Sequence, residues 1–206
     1  MAKYHAGLQV YADLMNEARI RLEAVRTAMD ARENWAPRLF QEFIYLQFRM
    51  LCEVIAVGCL VAYGDITRRD ALKTWKIPHI LKRLEEIGPD FYPQGIRISH
   101  ADKRVHAKPR ELPQLSKSDL LKLWTGTGRH LHRGSAQELL AERRKDFCVD
   151  LTELSGFYNK ILNLLDQHLI PWPDEKHFLV VALIGKGGQS ELLPIRATEI
   201  LSGPSR

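Results

Sequence analysis

The stretch P37-RLFQEFIYLQFRMLCEVIAVGCLVAY-G64 decides the fold. It opens on a proline, which suits the first turn of a helix because its missing N–H has no intrahelical partner there. No breaker stronger than Gly58 interrupts it before Gly64, so the pattern predicts one long helix. From Met50 to Tyr63 the residues are apolar nearly all round, as expected of a helix covered on several sides. That run is too short to cross a bilayer and carries Glu53. It therefore reads as the central helix of a folded core, and no membrane partner is expected.

Outward from this helix the chain reads as further helices. Upstream, Leu8, Tyr11, Met15, Ala18, Leu22, Val25 and Met29 recur at three- and four-residue steps, the stripe of an amphipathic helix reaching about Asn34. Downstream, Thr67 with Asp70 resembles a capped helix entry, and Pro78 opens a short helix that Gly88 closes. Residues Gly88 to Leu115 hold Pro89, Pro93, Pro109 and Pro113. They predict a long connection with a short hairpin through I-R-I-S-H and V-H-A-K. Ser116 with Asp119 starts the next helix, and Ser135 with Glu138 starts the last long one. Along that last helix run Leu151, Leu154, Tyr158, Ile161, Leu165 and Leu169, until P-W-P-D ends it.

The tail from His177 to Arg196 changes character: a β-rich apolar run, a glycine-dense turn and a second extended segment predict a β-hairpin. Its exposed edge would favour pairing. G-K-G-G does not make a phosphate loop, since Leu192, Leu193 and Pro194 follow where a helix would be needed. The expected architecture is thus mainly α. Residues 1–170 form a helical bundle with a long Pro-rich connection, and residues 171–206 form a β-hairpin appendage and tail.

Hydrophobic residues are 45% of the chain and charged ones 27%, the balance of an ordinary soluble protein. The first residues lack the apolar region and cleavage site of a secretory signal, so the expected location is cytoplasmic. Cys52, Cys59 and Cys148 show no C-x-x-C spacing. Reduced core thiols are expected, with neither disulfides nor a metal site, and no cofactor. Lys and Arg exceed Asp and Glu by five, which permits polyanion binding without requiring it.

Four places carry candidate chemistry. Arg49 and Glu53, one turn apart on the apolar helix, read as a structural ion pair. In the connection, Arg97, Lys103, Arg104, Lys108 and Arg110 face one acid, Asp102, a pattern suited to phosphates. Phe91, Tyr92 and Trp124 could stack on bases, although such residues more often anchor a loop to the core. Last comes W-T-G-T-G-R-H-L-H-R-G, Trp124 to Gly134. On a continuous helix Arg129, His132 and Arg133 share one face, while His130 points elsewhere. Arg and His there could hold a phosphate and move a proton, or complement a helix C-terminus capped by Gly134.

F-I-Y-L-Q-F-R-M-L-C-E-V-I-A, W-K-I-P-H-I-L-K-R-L-E-E-I-G-P-D-F-Y-P and G-R-H-L-H-R-G, in that order, resemble a group of uncharacterised bacterial proteins that are in turn similar to the HEPN superfamily. The resemblance implies a helical bundle that dimerises and, in active members, cuts RNA without metal. It implies catalytic roles for Arg129 and His132, with two residues between them where the family has four to six. His130 and Arg133 would join the hairpin cations in holding RNA. Homodimerisation is expected also from the apolar surplus of Met50 to Tyr63. The alternative is a non-catalytic homo-oligomeric interaction module, with another protein as partner and G-R-H-L-H-R-G as a helix cap.

Overall fold

The computed structural model describes residues 2–63, 76–88, 90–101, 104–131, 148–171, 177–185 and 187–196. Its helices are α1 (Ala2–Asp30), α2 (Pro37–Tyr63), α3 (Ile77–Ile87), α4 (Lys117–Leu131) and α5 (Leu151–Leu165). Its strands are β1 (Gln94–Ala101), β2 (Arg104–Pro109), β3 (Gln167–Pro171), β4 (His177–Ala182) and β5 (Glu191–Arg196). The chain is mainly α, with one antiparallel sheet in the order β2-β1-β3-β4-β5.

Pro37 occupies the first turn of α2 as its chemistry requires. The helix touches α1, α3, α4 and β3. Ile44, Phe48, Leu51, Cys52, Ile55 and Cys59 are buried along it. Pro37–Ala62 is apolar and long enough to cross a membrane, yet most of it lies inside the fold, the behaviour of a core helix. On α1, Tyr11, Met15, Ala18, Leu22 and Val25 face α2 from the buried side. That helix stops at Asp30, and a short 3₁₀ turn, Arg32–Asn34, carries the chain towards α2. Pro78 lies in the first turn of α3; Gly88 ends it with φ 178°, an extended backbone open to any residue. The Thr67 to Asp70 entry lies outside the described residues.

The last long helix differs from expectation. Residues 148–150 are not helical, and α5 is capped by Asp150, whose carboxylate accepts the Glu153 N–H at 2.9 Å. Ser135 and Glu138 lie outside the described residues. At the other end α5 stops at Leu165, and Leu169 sits in β3. Leu165 and Leu169 are spaced as a helix would space them, but the backbone groups of residues 167–171 are taken by β4.

The connection after Gly88 contains the expected hairpin: Arg97 pairs with Lys108, Ser99 with His106 and Ala101 with Arg104. It joins the sheet where Gly95 pairs with His168. A Cβ on Gly95 would lie 2.3 Å from the Asn163 carbonyl oxygen and 2.8 Å from Gln114 Oε1, so this crossing of sheet and helix needs glycine. The C-terminal hairpin also forms, with Phe178 opposite Ile195 and Val180 opposite Leu193. Gly188, at φ 76°, takes the left-handed position in its turn. Ser190 N–H donates to Asn16 Oδ1 of α1 at 2.8 Å. Leu179, Val181 and Leu183 join the same buried cluster as the helices. The division expected between residues 170 and 171 falls inside β3, which joins both hairpins into one sheet.

Candidate functional site

Along α2 the polar residues Gln41, Tyr45, Arg49 and Glu53 recur every four positions and form one line on a helix otherwise rich in apolar groups. Helix α4 answers them at three-residue steps with Trp124, Thr127 and His130. The indole N–H of Trp124 donates to Glu53 Oε1 at 3.2 Å. Arg49 Nε lies 3.4 Å from the same oxygen, and its guanidinium stands 4.8 Å from the Trp124 ring centre. One Arg49 nitrogen donates to Thr127 Oγ1 at 3.4 Å; that hydroxyl donates to the Trp124 carbonyl at 2.7 Å. Thr127 is fully buried. Two sequence candidates, the Arg49–Glu53 pair and the Trp124 stretch, thus meet in one seam.

His130 closes the seam at its other end. Its ring lies flat on Tyr45, centroids 3.7 Å apart and planes 1° from parallel. Its Nδ1 is 3.2 Å from Gln41 Nε2. The Tyr45 hydroxyl donates to Glu153 Oε2 of α5 at 3.0 Å. Burial and that carboxylate both push the Tyr45 phenol up. Burial lowers His130, with Arg129 adding to the effect and Glu153 opposing it, so the imidazole is neutral near neutral pH. The ring belongs to the packing of α2 on α4. Arg129, in the last turn of α4, is exposed. His132 and Arg133 lie outside the described residues.

The basic connection separates into two kinds of arginine. Arg97 and Lys108 stand directly opposite each other on β1 and β2, both exposed, with exposed Ser99 and His106 as the next pair. Among the described residues neither Arg97 nor Lys108 forms an ion pair. Arg104 opens β2, and Lys103 lies outside the described residues. Arg110 is different: its guanidinium pairs with Asp166 and reaches Asn163 Oδ1 at 3.4 Å, and the side chain is mostly buried. It fastens the connection to the end of α5 and does not present its charge to a ligand.

The hairpin leads into the N-terminal end of α4, whereas Arg129 lies twelve residues beyond Lys117, about 18 Å along the axis. Phe91 is fully buried, with the Lys117 ammonium 5.0 Å from its ring centre. The Tyr92 hydroxyl donates to the Leu115 carbonyl. These aromatics anchor the loop, and neither presents a ring to a base.

The described residues contain no group of His, Cys, Asp and Glu arranged to hold a metal ion. Cys52 and Cys59 are buried free thiols, and burial pushes Cys59 up to about 12. Cys148 is exposed, contrary to the expectation of three core thiols.

Gln41 and Tyr45 were legible as a four-residue polar period inside an apolar helix, a signal easily passed over beside Arg49 and Glu53. Glu153 had no such signal. Nor did His168, a fully buried histidine of β3 whose Nδ1–H donates to the Leu165 carbonyl at 3.0 Å while Nε2 accepts the Tyr11 hydroxyl at 2.7 Å. No protein-family model, curated protein or solved structure matches the chain, so the residues themselves carry the functional reading.

Proposed function

We propose that the protein is a HEPN-like helical module that binds RNA, or another polyanion of the same charge density, through the outer face of the β1–β2 hairpin. The observation that carries this reading is the Arg97–Lys108 cross-strand pair. Like charges directly opposite each other cost stability, and no acid among the described residues offsets them. A lysine on an edge strand also blocks unwanted strand pairing. That accounts for Lys108 on β2, and Arg97 too lies beyond Gly95, where β1 no longer pairs with β3; protecting an edge does not, however, require two cations directly opposite each other. A phosphate backbone laid across the ribbon would relieve the repulsion. The resemblance to HEPN proteins is supported by the mainly α architecture and by the packing of a long apolar helix, α2, against the helix bearing Arg129.

The test is RNA binding in EDTA over a salt series, wild type beside Arg97→Ala/Lys108→Ala. Affinity for the wild type should fall steeply between about 50 and 200 mM salt. The double variant should bind more weakly at low salt, with a salt slope smaller by about two. Equal binding by both proteins, or no binding at about 50 mM, would overturn the reading. The same reactions report cleavage. Products ending in a cyclic phosphate that vanish in Arg129→Ala and His132→Ala would assign those two residues to metal-independent cutting through the RNA 2′-hydroxyl. Intact RNA in every lane would leave a binding module.

A homo-oligomeric interaction module is favoured by a separate observation: Leu39 and Leu46 are exposed on α2.

A further inference from the structure

The second half of α2 is buried, so the apolar surplus expected there is absorbed by the core. The surplus lies in the first half. Leu39 is 57% exposed and Leu46 43%, and Phe43 and Met50 are half-buried. Steps of four, three and four put these residues in one stripe. Alternating steps of four and three are those of a seam between two helices. It is a different side of α2 from Ile44, Phe48, Leu51 and Ile55, which face the core.

Glu42 and Arg49, one heptad apart, occupy equivalent positions on one flank of this stripe. Their order matters for orientation. If two copies of α2 meet antiparallel, Leu39 of one copy faces Met50 of the other and Phe43 faces Leu46. The same register sets Glu42 of each copy beside Arg49 of the other, twice by symmetry. A parallel pair would set Glu42 beside Gln47 and Arg49 beside Val54, with no match of charge. The intrachain contacts of Glu42 with Arg38 and of Arg49 with Glu53 are 3.2 and 3.4 Å i,i+4 pairs, which a second partner can share.

We infer that the Leu39–Met50 face of α2 is the seam of an antiparallel two-fold dimer with a second copy of this chain. The inference stands apart from RNA binding. Four apolar layers span about 17 Å of helix, a contact at the small end of specific interfaces. The dimer is therefore weak, with a dissociation constant on the order of tens of micromolar.

Sedimentation of the full chain between about 5 and 200 μM tests it. The wild type should pass from monomer to dimer over that range, and Leu46→Glu should remain monomeric with an unchanged melting curve, since Leu46 is exposed. Cross-linking reads the orientation, in a Cys148→Ser background because Cys148 is exposed. Under diamide, Leu39→Cys/Met50→Cys should form an intermolecular disulfide. Leu39→Cys alone should not, because its two copies stand about 16 Å apart in the antiparallel register. A wild type that stays monomeric throughout, or a dimer that survives Leu46→Glu, overturns the seam. A disulfide formed by Leu39→Cys alone overturns the antiparallel register.

Discussion

Arg49 in the α2–α4 seam and Arg97 in the β1–β2 hairpin have the same chemistry and opposite circumstances. Arg49 sits over Trp124, beside Glu53 and within reach of Thr127. Arg97 stands in the open, opposite another cation. In the first place the protein itself supplies the guanidinium with a carboxylate, a hydroxyl and a ring, so the residue contributes to stability. In the second it supplies none among the described residues, so the residue is free to serve a ligand. Arg110 shows how local the distinction is: two residues beyond Lys108, its charge is spent on Asp166.

The largest effect expected from this contrast is at the seam. Trp124→Ala removes the ring over Arg49 and the donor to Glu53, and should cost about 3 kcal/mol in urea unfolding while leaving RNA affinity per folded molecule unchanged. A loss below about 1 kcal/mol would show that the seam does not hold α4 on α2.

His168 sharpens the same comparison through pH. Burial drives His168 down to about 4, below the ordinary 6.5, although its hydrogen bond to the Leu165 carbonyl opposes this. Between these values the unfolded chain binds a proton that the folded chain refuses. The contribution of His168 is therefore fully present above pH 6.5, falls as the pH drops, and levels off near pH 4. The fall should be on the order of 3 kcal/mol. His168→Gln should flatten the stability profile between about pH 6.5 and 4.5 relative to wild type. An identical profile in both proteins would place the acid sensitivity elsewhere.

Arg49→Ala, which leaves the Glu53 carboxylate half-buried with the indole N–H, should lose about 1–2 kcal/mol. Arg97→Ala should change stability by less than about 0.5 kcal/mol, and relief of the Lys108 repulsion gives it the sign of a slight gain. Each of Arg97→Ala and Lys108→Ala should lower the salt slope of RNA binding by about one. If Arg97→Ala destabilises as much as Arg49→Ala, the two regions do not differ in kind.

Much of this was legible before any fold was known. The α1 stripe, Pro37, Pro78 and the Ser116 cap are local signals, and the local backbone obeys them. The Ser116 hydroxyl does accept the Asp119 N–H, at 3.1 Å. Both hairpins were legible because extended segments show over a few residues, the C-terminal one also through its glycine-dense turn. The start of α5 and the strand β3 were not. Asp150 was an ordinary acid in the sequence, and Leu169 continued a helical period that the pairing of β3 with β4 overrode.

The candidate site was legible in its residues and not in its grouping. Arg49 with Glu53 could be paired by their spacing on one helix. That Trp124 and Thr127 complete them, that His130 lies flat on Tyr45, and that Arg110 faces Asp166 depend on contacts between elements distant in the chain. By itself the sequence determined the helices of this mainly α protein, its turns and its surplus of cations, because propensity, capping and periodicity act over a few residues. Which cations are neutralised, which histidine is buried and which apolar stripe is left outside were decided by the tertiary structure, because burial and pairing depend on what the rest of the chain brings alongside.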